Sequence, residues 1–314
     1  MTTLVTIETI RRQEAEMLRD IQELVEIESP SSDKRAVDRL AELLARKFQA
    51  MGARTQFHKA ERFGTHLQAD FAGSGVKPVL LLGHIDTVWD IGTLARMPFR
   101  IADDRIWGPG VLDMKAGIVM AIYAIQLLKS NEGLSRPVTI LLNTDEEVGS
   151  ESSRPITEKI ATGCEAVFVL EPAQGMDGAL KTARKGVGDY HIKVSGKAAH
   201  AGVDFQSGAS AILELARQIE RVSEFTDLSR GLTVNVGIVK GGTRGNVVPA
   251  EAEAEVDIRV ERMQDAEELD RKFQSLTAID LRCKLKVTGG VNRPPMERTG
   301  KIAALFQKAR AYAA

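Results

Sequence analysis

Four clusters of oxygen and nitrogen ligands are the residues of this sequence best equipped for chemistry. His84 is followed two positions later by Asp86. A metal-bound imidazole normally donates its other N–H to an acceptor, and Asp86 can supply one; the plainer alternative is a hydrogen-bonded loop histidine. Asp113 follows the Gly/Pro-rich Trp107-Gly108-Pro109-Gly110 and precedes a helical pattern. It can serve as an N-cap, or its two oxygens can bridge two cations about 3.5–4 Å apart. Asp145-Glu146-Glu147 places three acids in a row. They form either a solvated acidic turn or a site in which a divalent cation removes the repulsion, one glutamate binding metal and the other accepting a proton from water. Glu171, before Pro172, is either a strand exit or a further ligand. Oxygen and nitrogen donors without a thiolate suit a catalytic zinc pair better than a structural zinc.

The elements that must gather these groups are legible from hydrophobic spacing. Helices are expected from Ile10 to the break at Ser29-Pro30, from Asp33 to Met51, and from Lys115 to Lys129. Alternation predicts strands over 54–59 and 66–71. Continuous apolar runs at 79–82, 138–142 and 167–170 predict buried parallel strands of an α/β sheet, and ligand sites form beyond the carboxyl ends of such strands. His84, the 143–147 string and Glu171 all follow those ends. From Lys185 the order strand, helix, strand, strand, helix, strand matches a ferredoxin-like βαββαβ unit. The expected fold class is therefore α/β: a mixed, mostly parallel sheet flanked by helices, with an inserted ferredoxin-like domain. Residues 1–184 with 293–314 would form the metal-binding catalytic domain, and 185–292 the insertion.

The chain has 314 residues, 43% of them apolar, enough for one large domain or two moderate ones. Lys+Arg 42 against Asp+Glu 43 leaves a formal charge of −1, which offers no electrostatic reason for a nucleic-acid partner. Cys164 and Cys283 lie far apart in strand-like stretches, so neither a disulfide framework nor a Cys-based metal site is expected. Met1–Asp20 contains no signal-like apolar run, and no stretch of about 18 apolar residues occurs, so a soluble, cytoplasmic protein without a membrane segment is expected.

Five motifs together, His84-x-Asp86-Thr87-Val88, Gly108-Pro109-Gly110-x-x-Asp113-Met114-Lys115, Thr144-Asp145-Glu146-Glu147-Val148-Gly149-Ser150, Leu170-Glu171-Pro172 and Ala198-Ala199-His200-Ala201-Gly202, occur in one order and spacing. In that set the chain resembles the M20 metallopeptidases, most closely their glutamate-carboxypeptidase branch. The resemblance runs from about residue 10 to 314.

It implies two zinc ions per subunit: His84 and Glu171 on one, Glu147 on the other, and Asp113 bridging. Glu146 would be the general base, Asp86 would orient His84, and His200 would reach a neighbouring subunit's site and hold the oxyanion. Asn246 and Arg259 would grip a substrate carboxylate, a role that suits a guanidinium fork. Read without the resemblance, His200 is a turn histidine and Arg259 an exposed strand residue. The implied reaction is hydrolysis of an amide that releases a C-terminal amino acid, glutamate above all, from an N-acyl or peptidyl substrate, by a homodimer joined through the insertion. An N-acyl-amino-acid deacylase is the alternative within the family. The resemblance also implies a last zinc-ligating histidine near the C-terminus, but none of His58, His66, His84, His191 and His200 lies there. A C-terminally truncated chain is therefore expected, and a metal-deficient binding or dimerisation protein stays open as a different class.

Overall fold

Apolar residues at helical spacing open the part of the chain that the computed structural model describes, residues 7–313. Of the Met1–Asp20 stretch, residues 1–6 lie outside it. The expected first helix is two, α1 (Ile7–Arg11) and α2 (Glu14–Glu26), and α2 ends ahead of Ser29-Pro30 as predicted. In α3 (Lys34–Ala50), Val37, Leu40, Ala41, Leu44, Ala45 and Phe48 form one buried stripe. Asp33 caps it by accepting the Ala36 N–H at 3.0 Å.

The next elements are β1 (Arg54–His58), β2 (His66–Phe71), β3 (Val79–His84), the small hairpin β4 (Arg100–Ala102) and β5 (Arg105–Trp107), α4 (Ala116–Asn131), β6 (Val138–Asn143), α5 (Arg154–Thr162) and β7 (Ala166–Val169). Five strands make one sheet in the order β1-β2-β6-β3-β7. Its parallel part is confined to β6, β3 and β7, while β1, β2 and β6 pair antiparallel. The sheet is thus mixed, and parallel where the ligand-bearing ends lie. Helix α4 is apolar on all sides because it is a core helix: Ile118, Val119, Ile122, Tyr123 and Ile125 are buried. The helical stretch Val111–Asn131 is long and apolar enough to cross a bilayer, a property the sequence reading did not assign to any segment, and its burial in the core accounts for it.

A second compact unit begins after Pro172. It contains β8 (Gly186–Ser195), β9 (Ala199–His200), α6 (Ala211–Ser223), β10 (Thr233–Gly241), β11 (Val247–Val248), β12 (Glu251–Val260), α7 (Met263–Gln274), β13 (Lys284–Arg293) and α8 (Gly300–Ala313). The sheet order β10-β12-β8-β13, antiparallel throughout, is that of a ferredoxin-like βαββαβ unit, with the short β9–β11 pair added. Alternation fixes the faces: Tyr190, Ile192 and Val194 on β8 and Ala252, Ala254, Val256 and Ile258 on β12 turn inward. Tyr190 stacks on Phe273 of α7 with centroids 3.9 Å apart, and Phe225 meets the same ring edge-on.

Several elements differ from expectation: β7 is the edge strand of its sheet, with Val167, Phe168 and Val169 exposed rather than buried, and α5 and the β4–β5 hairpin had no expected counterpart. By compactness the chain parts after Pro172, and residues 293–314 group with the second unit, whose Arg184 and Met296 exchange backbone hydrogen bonds. Cys164 and Cys283 are free thiols in the bends just before β7 and β13, not strand residues; both bends are too short to show as breaks in apolar spacing.

Candidate metal centre

The site in the first unit is assembled from loops that leave neighbouring strands. β3 ends at His84, β6 at Asn143, and β7 one residue before Leu170. Their parallel pairing, with His84 opposite Asn143, carries His84, the Asp145-Glu146-Glu147 string and Glu171 to one edge of the sheet. Asp113 arrives in the irregular turn Val111–Lys115 ahead of α4, with non-helical dihedrals and no capping bond to that helix. Two close approaches let these pieces meet. Gly110 adopts φ +71°, and a Cβ there would stand 2.7 Å from the Thr87 methyl. A Cβ on Gly117 would stand 2.1 Å from the Leu170 carbonyl oxygen, so α4 can lie against the Glu171 strand exit only because that residue is glycine.

His84 is buried and is the hub. Its Nδ1 lies 2.9 Å from the Asp86 carbonyl and 3.5 Å from the Asp86 carboxylate, so the shorter contact is to the main chain. Its Nε2 faces Asp113 Oδ1 at 3.0 Å and Glu171 Oε1 at 3.7 Å. Burial by itself would lower the imidazole pKa, but the Asp86 carboxylate and carbonyl and then Glu146 outweigh it and raise it to about 10. Burial, then the neighbouring carboxylates of Asp113, Asp86 and Glu146, push Glu147 above the usual carboxylate range.

Ligand atoms of His84, Glu146 and Glu171 fall within 4.8 Å of one another, and so do those of His84, Asp113 and Glu147. These donors fit a divalent metal centre. The imidazole is oriented through Nδ1 with Nε2 aimed at carboxylates, and the carboxylates repel one another until a cation joins them. Both glutamates of the acidic string lie in ligand range, so geometry alone does not divide them into a ligand and a base.

The fully buried Asp86 carboxylate has other partners: it accepts the backbone N–H groups of Glu146 and Glu147, both at 3.2 Å, and the Ser31 hydroxyl at 2.7 Å. Behind the acidic string, the buried His66 bridges the Thr144 hydroxyl at 2.9 Å and Ser152 at 3.0 Å, and Ser152 donates to Asp145 at 2.7 Å. Burial first holds His66 below its ordinary pKa. Ser31, His66 and Ser152 escaped sequence reading because isolated hydroxyls and a strand histidine carry no pattern; for Ser31 the only hint was its place after the helix-ending Pro30.

In the second unit His200 and Asn246 are exposed and brought together: His200 pairs with Val247 across β9–β11, and the Asn246 carbonyl accepts the Ala201 N–H at 3.0 Å. His200 Nδ1 accepts the amides of Gly202 and Val203, which leaves its Nε2 as an outward N–H donor. His200 is thus the last residue of β9 rather than a turn residue, its ring holding the turn that follows it. Arg259 is not beside them. It stands eight residues along β12 from Glu251, about 26 Å of extended chain, and its fork holds Asp257 at 2.9 Å through both nitrogens.

The chain matches the family model described as the peptidase dimerisation domain over residues 182–280 and that of peptidase family M28 over 67–186. It is 29% identical to carboxypeptidase G2 of Pseudomonas sp. (strain RS-16) over 303 residues, 94% of this chain and 72% of that protein. Among solved structures, a tripeptidase from Staphylococcus aureus subsp. aureus Mu50 aligns with TM-score 0.77 at 21% identity, over 96% of this chain and 82% of that one. A dinuclear metal binding peptidase of the M20 family from Bacillus subtilis aligns with TM-score 0.64 at 15% identity, over 96% and 81%.

Proposed function

Since the chain belongs to the M20 metallopeptidases, we propose that it is a zinc-dependent hydrolase that releases a C-terminal amino acid, glutamate foremost, from an N-acyl or peptidyl substrate. The observation that carries this reading is the convergence of His84, Asp113, Glu146, Glu147 and Glu171 within ligand distance at the sheet edge. His84 Nε2, Asp113, Glu147 and Glu171 would hold two metal ions. When bound, these ions would polarise the scissile carbonyl and lower the pKa of the attacking water.

The protein's own groups do the rest. Glu146 takes the proton from water as its oxygen attacks the carbonyl carbon, then delivers that proton to the leaving nitrogen as the C–N bond breaks. The His200 Nε2–H donates to the oxygen that gains negative charge. Asn246 and Arg259 bind the free carboxylate of the leaving amino acid, for which Arg259 must exchange Asp257 for substrate. Because His200 and Asn246 sit at one end of the antiparallel sheet and Arg259 near the other, this assignment goes with a homodimer in which two copies supply the groups. The functional division, 1–184 with 293–314 against 185–292, belongs to the same reading. So does a cytoplasmic location, supported by the two free thiols.

Zinc titration with an N-acylglutamate assay tests the proposal. Two zinc per chain and glutamate release are expected, with Glu146→Ala lowering kcat about 10²–10⁴-fold at unchanged zinc content. Full activity in that variant eliminates Glu146 as the base. Less than one zinc per chain without hydrolysis supports a binding module instead.

A further inference from the structure

We propose that the Asp86 carboxylate, backed by Ser31, is the positioning group for the Glu146–Glu147 pair, while its main-chain carbonyl makes the shorter of the two Asp86 contacts to His84. The inference concerns placement and rests on the proposed function only for its catalytic consequence. Glu146–Val148 is a single 3₁₀ turn, and the amides that open such a turn have no partner within it. The residue that would ordinarily cap them, Asp145, makes no capping bond; its carboxylate is turned to the Ser152 amide and hydroxyl, both at 2.7 Å, and to the Ser153 amide at 3.2 Å.

The cap comes instead from Asp86, sixty positions earlier in the chain, with one oxygen on each of the two consecutive amides. Ser31 completes the clamp and is itself held. Its amide donates to the Thr87 carbonyl at 3.2 Å, and the Thr87 amide donates to the Ser29 carbonyl at 2.8 Å. Three chain segments therefore meet at one buried carboxylate. His84, by contrast, reaches the Asp86 carbonyl at 2.9 Å, a contact that no side-chain replacement removes.

Amide hydrogen exchange of Glu146 and Glu147, measured by NMR on the full chain without metal, tests the assignment alongside the ¹H and ¹⁵N shifts of the His84 Nδ1–H, which report its hydrogen bond to the Asp86 carbonyl. In Asp86→Asn one acceptor oxygen becomes an NH₂ donor. Exchange at the two amides should accelerate at least about tenfold, with His84 keeping its proton on Nδ1. Ser31→Ala, which removes one hydroxyl and leaves the buried charge in place, should accelerate the same amides less, and should lower kcat without changing KM. Unchanged exchange at both amides in these variants overturns the proposal. So does loss of the His84 Nδ1–H hydrogen bond with the amides still protected, since the imidazole would then be the carboxylate's target. If Asp86→Asn fails to fold, Ser31→Ala decides by the same measurement. Because exchange is read without turnover, an absence of hydrolysis in the native chain sinks the catalytic reading and leaves this one standing on its own result.

Discussion

His84 shows how much a residue's chemistry depends on what stands on each side of it. One ring nitrogen is committed to a carbonyl and the other is turned to two carboxylates, the arrangement of an oriented ligand. Asp113→Asn should bring zinc content below two per chain, because one carboxylate that faces both His84 and Glu147 is lost; metal analysis after dialysis checks it. As candidates, His84, Glu146, Glu147 and Glu171 were legible from residue type and position after apolar runs, and Asp113 from its Gly/Pro-rich approach to a helix. The carboxylate partners of Asp86 were not, because hydrogen bonds between residues 31, 86 and 146 leave no trace in local spacing.

At the scale of elements, close packing sets the tolerances. Gly117→Ala should displace α4 from the Leu170 carbonyl and carry Glu171 with it, lowering zinc affinity and activity; isothermal titration of zinc reads the effect directly. In the second unit, Phe273 is wholly buried against Tyr190 and Phe225. Phe273→Ala should cost about 3–5 kcal/mol in urea unfolding of that unit. Glu268 on α7 is held down to about 2, first by its hydrogen bond to Arg230 and then by Lys272. Its folded pKa lies below its ordinary value of 4.5, so the stabilisation is complete above that value and is lost as pH falls from there towards 2. Melting temperatures measured between pH 5 and 2.5 should drop more steeply for the native chain than for Glu268→Gln. Most element boundaries were visible in the sequence to within a few residues, since apolar periodicity reports which face is buried. The bends at Cys164 and Cys283 were not, being shorter than one period.

For the whole molecule, the proposed dimer has a candidate surface in the edge strand β10, where Ile238 and Val239 are exposed, and on α6, where Ile212 and Leu213 are exposed. Val239→Lys should shift sedimentation from dimer to monomer while circular dichroism stays unchanged. The sequence by itself determined the two sheets, most of their connecting helices though not α5, and the identity of the charged groups, because burial periodicity and ligand chemistry are local properties of a chain. Only the tertiary structure decided which acids share a cation's reach, that Asp86 caps the glutamate turn, and that Arg259 is engaged by Asp257 far along the strand from His200. The first two are distances between residues remote in sequence, set by strand order and register, and the third is a choice of side-chain rotamer that spacing does not reveal.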